Sequence, residues 1–126
     1  KSNIKEKIWE KFIFLSAYSG ITTLTKKSIG EIFASTTLKK TFVNAMNETH
    51  NLSKYFNVKF KFNPVDYWLE KIKKMPFDMT SSMYLDYINR KRLELEWLSG
   101  FIVEYSKRFG NKCDTHQSIL NGIIIK

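Results

Sequence analysis

The sequence predicts an all-α domain, and three observations carry that expectation. Apolar residues recur three and four positions apart in segment after segment, cap residues stand where those segments begin and end, and two-residue alternation is nearly absent. The one alternating stretch, Asn57-Val58-Lys59-Phe60, is too brief to build a sheet.

In the first segment Ile4, Ile8, Phe12, Leu15 and Tyr18 form a helical stripe, and from Phe12 to Phe14 the helix is apolar on nearly every side. A helix of that kind is central and buried. Ser28 with Glu31 three positions on forms a capping box for a short helix through Ile29, Ile32 and Phe33. Leu38, Phe42, Ala45 or Met46, Thr49, Leu52 and Phe56 share one face of a long amphipathic helix. Asn63-Pro64 is a start signal, an N-cap followed by proline at the first helical position; Val65, Trp68, Leu69, Ile72 and Met75 then recur until Pro76. A short helix spans Thr80 to Tyr87. Leu93, Trp97, Leu98, Phe101, Ile102 and Tyr105 mark a longer one that Gly110 stops, and Asp114 with Gln117 opens a last, short one.

With 126 residues, 43% of them hydrophobic and 15% aromatic, the chain is long and apolar enough for one domain with its own core. It contains no apolar run of membrane-spanning length and no secretory leader, so the expectation is a soluble, cytoplasmic protein. The start at Lys1, with helical periodicity almost at once, reads as a domain boundary within something longer. Cys113 is the single cysteine, and no Cys/His cluster has zinc spacing, so neither a disulfide nor a metal is expected. The net charge of +9 suits an anionic partner. Its distribution argues for less: lysines lie in ones and twos, Arg90-Lys91-Arg92 is the only triplet, and the aromatics sit at core spacing rather than between the basic residues. That pattern reads as a solvated surface, with no nucleic acid and no membrane as partner.

Two charges break the stripes. Lys11 falls on the side of its helix that Ile4, Ile8 and Leu15 face, with Leu15 and Ser19 one and two turns above it. Glu94 shares a face with Leu98, Phe101 and Tyr105, whereas Glu96 and Glu104 fall on the opposite, wettable side. An isolated charge turned into an apolar interior costs several kcal/mol, so each residue either lies at the edge of its stripe with its head in water, or meets the other, or meets a ligand. Ser81-Ser82 reads first as the N-cap of the next helix, with a ligand contact as the alternative. His50 and His116 are isolated and read as structural or surface residues.

Taken together these positions resemble the C-terminal domain of the ketopantoate reductase (2-dehydropantoate 2-reductase) family. The resemblance rests on Trp9-Glu10-Lys11, Gly30-Glu31-Ile32, Met79-Thr80-Ser81-Ser82-Met83 with Asp86, the basic cluster before Glu94, Gly100, and Lys107-Arg108-Phe109-Gly110. It implies a bundle of about seven helices like the C-terminal domain of 6-phosphogluconate dehydrogenase relatives, spanning residues 1–126. It also implies a partner, an N-terminal Rossmann domain that holds most of the NADPH; the chain has no GxGxxG of its own. The implied reaction is reduction of a 2-oxo acid, 2-dehydropantoate to pantoate in pantothenate biosynthesis. Lys11 matches the catalytic lysine, Ser82 the serine that bonds the substrate carboxylate, and Glu94 the glutamate beside the substrate hydroxyls and the cofactor ribose. Alone, the fragment is expected to be inactive. Family members commonly dimerise.

One departure bears on the substrate. The positions one and two turns after the lysine, asparagines in the family, are Leu15 and Ser19 here. Ser19 can still donate one hydrogen bond to the substrate; Leu15 cannot, and a lost bond to a charged ligand is worth ~1.5–3 kcal/mol. An altered preference among 2-oxo acids is the expectation. The alternatives are a paralogue acting on a different 2-oxo acid, a non-catalytic dimerising module, and a basic helical nucleic-acid-binding domain.

Overall fold

A computed structural model of the protein describes residues 4–89 and 98–125, with side chains described as far as residue 122. The described residues form seven α-helices and no strand: α1 (Ile4–Thr25), α2 (Ile29–Ala34), α3 (Thr36–Ser53), α4 (Pro64–Ile72), α5 (Ser82–Ile88), α6 (Ser99–Phe109) and α7 (Asp114–Ile125), with a 3-10 turn at Lys54–Phe56 after α3. The all-α expectation holds. Val58 of the alternating stretch serves as a core residue in a loop. Among the described residues no helix is long and apolar enough to cross a membrane.

The local signals are where the sequence puts them. Ser28 and Glu31 close their reciprocal box on α2. Asn63 accepts from the amides of Val65 and Asp66 at the head of α4. Gly110 ends α6 in the left-handed conformation, at φ 73°. At α7 the source of the cap differs. The carboxylate of Glu48, on α3, accepts from the amides of Thr115 at 2.7 Å and His116 at 2.9 Å, so the first turn of α7 is capped by another helix rather than by an Asp114/Gln117 box. Gln117 instead donates to Asn121 further along α7.

α1 is the axis of the bundle. From Ile13 to Thr23 only Leu15 escapes burial. The main core gathers Ile13, Phe14, Ala17 and Ile21 of α1 against Ile29 and Ile32 of α2, Phe42 and Met46 of α3, Val65 of α4, Met83 of α5 and Ile119 of α7. A second cluster joins Trp9 to Leu52, Val58 and Ile102, with Phe12, Phe56, Phe101 and Tyr105 at its margin. The inward face of α1 therefore runs through Trp9, Ile13 and Ala17, while Ile4, Ile8 and Leu15 look outward, at 74%, 61% and 37% exposure. Of the stripe read from Ile4 to Tyr18, Tyr18 is a core residue and Phe12 packs against the second cluster, whereas Ile4, Ile8 and Leu15 face outward: α1 is apolar on nearly all sides, so periodicity alone gives it no inward direction.

A polar joint lies inside the apolar core. His116 is fully buried. Its Nε2 lies 2.9 Å from the Ala45 carbonyl and 3.1 Å from Thr49 Oγ1, and its Nδ1 lies 3.0 Å from Ser99 Oγ. A carbonyl can only accept, so Nε2 carries the hydrogen and Nδ1 accepts from Ser99. Thr49 Oγ1 in turn meets Ser16 of α1 at 3.3 Å. One imidazole thus ties α3, α6 and α7, with α1 reached through Thr49. Burial pushes its pKa down to about 4, so the ring stays neutral at ordinary pH.

Candidate active site

Lys11 is exposed on the outward face of α1, between Ile8 one turn below and Leu15 one turn above. This resolves the open question about its side chain: the ammonium stands in water at the border of an apolar strip, and no burial has to be offset. Ser19, a further turn up, is nearly enclosed, at 8% exposure.

The segment before α5 is drawn down onto this helix. The Tyr18 hydroxyl donates to the Thr80 carbonyl at 2.6 Å, and Thr22 Oγ1 meets Ser81 Oγ at 2.6 Å. Tyr18 and Thr22 lie on the same side of α1 as Lys11 and Leu15, because seven and eleven residues are close to whole numbers of helical turns. Burial holds the Tyr18 phenol above its ordinary pKa, which keeps it a donor. Ser81 caps α5 by accepting from the Tyr84 amide, and the adjacent Ser82 is exposed in the first turn. The two roles open at this pair therefore fall to different residues, capping to Ser81 and exposure to Ser82. Lys11, Leu15, Ser19 and the clamped Thr80–Ser82 segment follow one line along α1.

On one flank of Lys11, α4 is fixed to α1: the Trp68 indole donates to the Glu10 carbonyl at 2.8 Å, and its ring stacks on Phe14 at 4.4 Å. On the other flank Ile8, Trp9 and Phe12 of α1 and Phe101 of α6 line a groove of about 320 Å³. Glu94, with the basic triplet Arg90-Lys91-Arg92 that precedes it, lies outside the described residues. The paired lysines at 26–27, 39–40 and 73–74 are all exposed, as a solvated surface requires.

Sequence reasoning singled out Lys11, Ser19 and Ser82 as candidates but not the residues that line them up along α1. Tyr18 reads as one more apolar position until its hydroxyl partner is known, and that partner is far along the chain. Trp9 and Phe12 carry the one available hint, an aromatic pair flanking the lysine, but nothing local points to Phe101 as the opposite wall.

The sequence profile described as "Ketopantoate reductase PanE/ApbA C terminal" matches residues 3–125. Over 111 residues the chain is 32% identical to the "Uncharacterized oxidoreductase YkpB" of Bacillus subtilis, an alignment covering 84% of this chain and 35% of that protein. It is 25% identical over 120 residues to the 2-dehydropantoate 2-reductase of Archaeoglobus fulgidus, covering 95% of this chain and 40% of that one. Among solved structures, a dimeric ketopantoate reductase from Staphylococcus aureus superposes with a TM-score of 0.89 at 20% identity, over 99% of this chain and 43% of that one. D-mandelate dehydrogenase, solved with NADH and anilino(oxo)acetate, superposes with a TM-score of 0.87 at 18% identity, over 99% of this chain and 70% of that one. The chain thus spans 35% and 40% of the length of the two curated relatives.

Proposed function

Because the chain belongs to the ketopantoate reductase C-terminal family, an oxidoreductase family, we propose that it is the substrate half of a cytoplasmic NADPH-dependent 2-oxo-acid reductase, with 2-dehydropantoate as reference substrate. In this reading it works beside an N-terminal Rossmann domain, and the pair dimerises. One observation supports it above others: an exposed ammonium, Lys11, shares a face of α1 with a segment carrying an exposed hydroxyl, Ser82, held down by Tyr18 and Thr22.

NADPH, when bound, supplies the hydride for the 2-oxo carbon. The open face around Lys11 suits a nicotinamide presented from outside this chain, whose own sequence has no phosphate-cradling glycine loop. Lys11 polarises the carbonyl oxygen, stabilises the negative charge that grows on it and donates the proton that completes the alcohol. Ser82 donates a hydrogen bond to the carboxylate, and Ser19 adds one where its hydroxyl reaches the line. Glu94 accepts from substrate and ribose hydroxyls and steadies the ammonium.

The test is NADPH oxidation by the full-length protein with 2-dehydropantoate and other 2-oxo acids. Lys11→Ala is expected to lower kcat/KM by roughly 10²–10⁴-fold, the usual worth of a positioned acid. Turnover at the normal rate by that variant would remove Lys11 from the chemistry.

A further inference from the structure

α5 is only seven residues long, too short to keep its shape alone in water, so what grips it decides where Ser82 stands. From α2, the amides of Ile29 and Gly30 donate to the carbonyls of Met79 and Phe77, both at 2.8 Å. From the end of α1, the Lys26 ammonium lies over the Tyr87 ring, 5.1 Å from its centre. From the middle of α1 come Tyr18 and Thr22, and there every hydrogen can be assigned. The Thr22 hydroxyl lies 2.6 Å from the Tyr18 carbonyl, which can only accept, so the one hydrogen of Thr22 points there. In the 2.6 Å contact between Thr22 and Ser81 the donor is therefore Ser81, which accepts in turn from the Tyr84 amide. The Tyr18 phenol closes the circuit by donating to the Thr80 carbonyl. Tyr18, Thr22 and Ser81 are all buried, so water does not freely replace a bond lost among them.

The Tyr18 ring has a second attachment. It stacks on Phe14 at 5.0 Å, and Phe14 stacks at 4.4 Å on Trp68, whose indole donates to the Glu10 carbonyl. One aromatic column thus runs from the backbone beside Lys11 to the backbone two residues before Ser82. Close-packed rings of this kind resist compression and slip.

Resting on the reductase reading above, we infer that Tyr18 and Thr22 are positioning residues: they fix the Thr80–Ser81 backbone so that the Ser82 hydroxyl meets the substrate carboxylate while Lys11 holds the carbonyl. Both act through Ser82. The carboxylate carries the same charge before and during hydride transfer, so a bond to it is uniform binding and shows in KM. The bond from Lys11 to the growing alkoxide shows in kcat. Loosening Ser82 therefore weakens binding and leaves the chemical step alone.

The experiment measures KM and kcat separately in the full-length protein, with saturating nicotinamide cofactor and the 2-oxo acid that it turns over fastest. Ser82→Ala is expected to raise KM about 10–100-fold, the worth of a hydrogen bond to a charged group. Tyr18→Phe keeps the stacked ring and removes only the donor. It is expected to raise KM about 3–10-fold and to change kcat by less than about twofold. Thr22→Val should act alike, and Thr22→Ser, which keeps the hydroxyl, should restore the native KM; this pair carries the test if Tyr18→Phe fails to fold. In the Ser82→Ala background, Tyr18→Phe or Thr22→Val should add less than about twofold to KM, because the group they position is gone. A KM that they leave unchanged, or raise equally with and without the Ser82 hydroxyl, overturns the inference while the reductase reading stands. So does a native KM in Ser82→Ala, or a loss confined to kcat. Turnover of no 2-oxo acid by the native protein, with NADPH or NADH, means that the reductase reading itself has failed, and the inference goes with it.

Discussion

Lys11 and Gly30 lie at opposite ends of what a single residue can do here. Lys11 is exposed, so Lys11→Ala is expected to leave the melting temperature almost unchanged, within the ~0.5 kcal/mol of an ordinary surface substitution, even as turnover collapses. Gly30 is structural for the reverse reason. Its amide donates to the Phe77 carbonyl at 2.8 Å, and a Cβ at this position would overlap both the ring and the carbonyl of Phe77. The ring is 63% exposed and can swing away, but the carbonyl cannot move without breaking the bond. Gly30→Ala is therefore expected to cost about 1–3 kcal/mol in a denaturant titration. An unchanged midpoint would show that the 77–80 segment yields freely, and with it the clamp that carries Ser82.

At the scale of elements, α7 depends on a residue it does not contain. Glu48 accepts from two amides of its first turn, and those bonds pull the carboxyl pKa down against burial, which raises it more strongly. Glu48→Ala leaves those amides unpaired inside the bundle. The expected loss is about 1–2 kcal/mol, with faster hydrogen exchange at Thr115 and His116 than elsewhere in the core. Retained protection at both amides would show that water or another group caps α7 equally well. The same helix marks the limit of reading from sequence. Ser28 with Glu31, Asn63 with Pro64, and Gly110 were legible because cap and capped residue lie within a turn of each other. The cap on α7 was not, because its two halves meet only once α3 and α7 pack. α1 failed in another way. The sequence marked it as central and picked out Lys11 as the residue at odds with its stripe, yet the outward direction of that stripe is set by helices elsewhere in the chain.

For the whole molecule, the joint at His116 sets how stability responds to acid. Its folded pKa, about 4, lies below the ordinary histidine value, so between roughly pH 6.5 and 4 the unfolded chain binds a proton that the folded chain refuses. The contribution is complete above that window and lost on the way down through it, about 3 kcal/mol across the full shift. Glu48, whose folded pKa is raised, takes up its proton early in the folded state and offsets part of the loss. Unfolding free energy measured by denaturant at several pH values should therefore decline below pH ~6.5, and His116→Asn should flatten the decline. A native protein equally stable throughout that range would mean that the ring is not held as the bonds to Ala45 and Ser99 describe.

The outward placement of Lys11 has a further consequence. In open solvent a single positive charge is screened and attracts an oxyanion only feebly, by about 1 kcal/mol at 4 Å, whereas with water excluded the same pair interacts several times more strongly. A lysine that the described helices leave in water thus holds an oxyanion weakly until something settles over it. Under the proposed reductase reading, reactivity is switched by coverage, and the exposed Ile4, Ile8 and Leu15 offer the apolar seat that a cover needs.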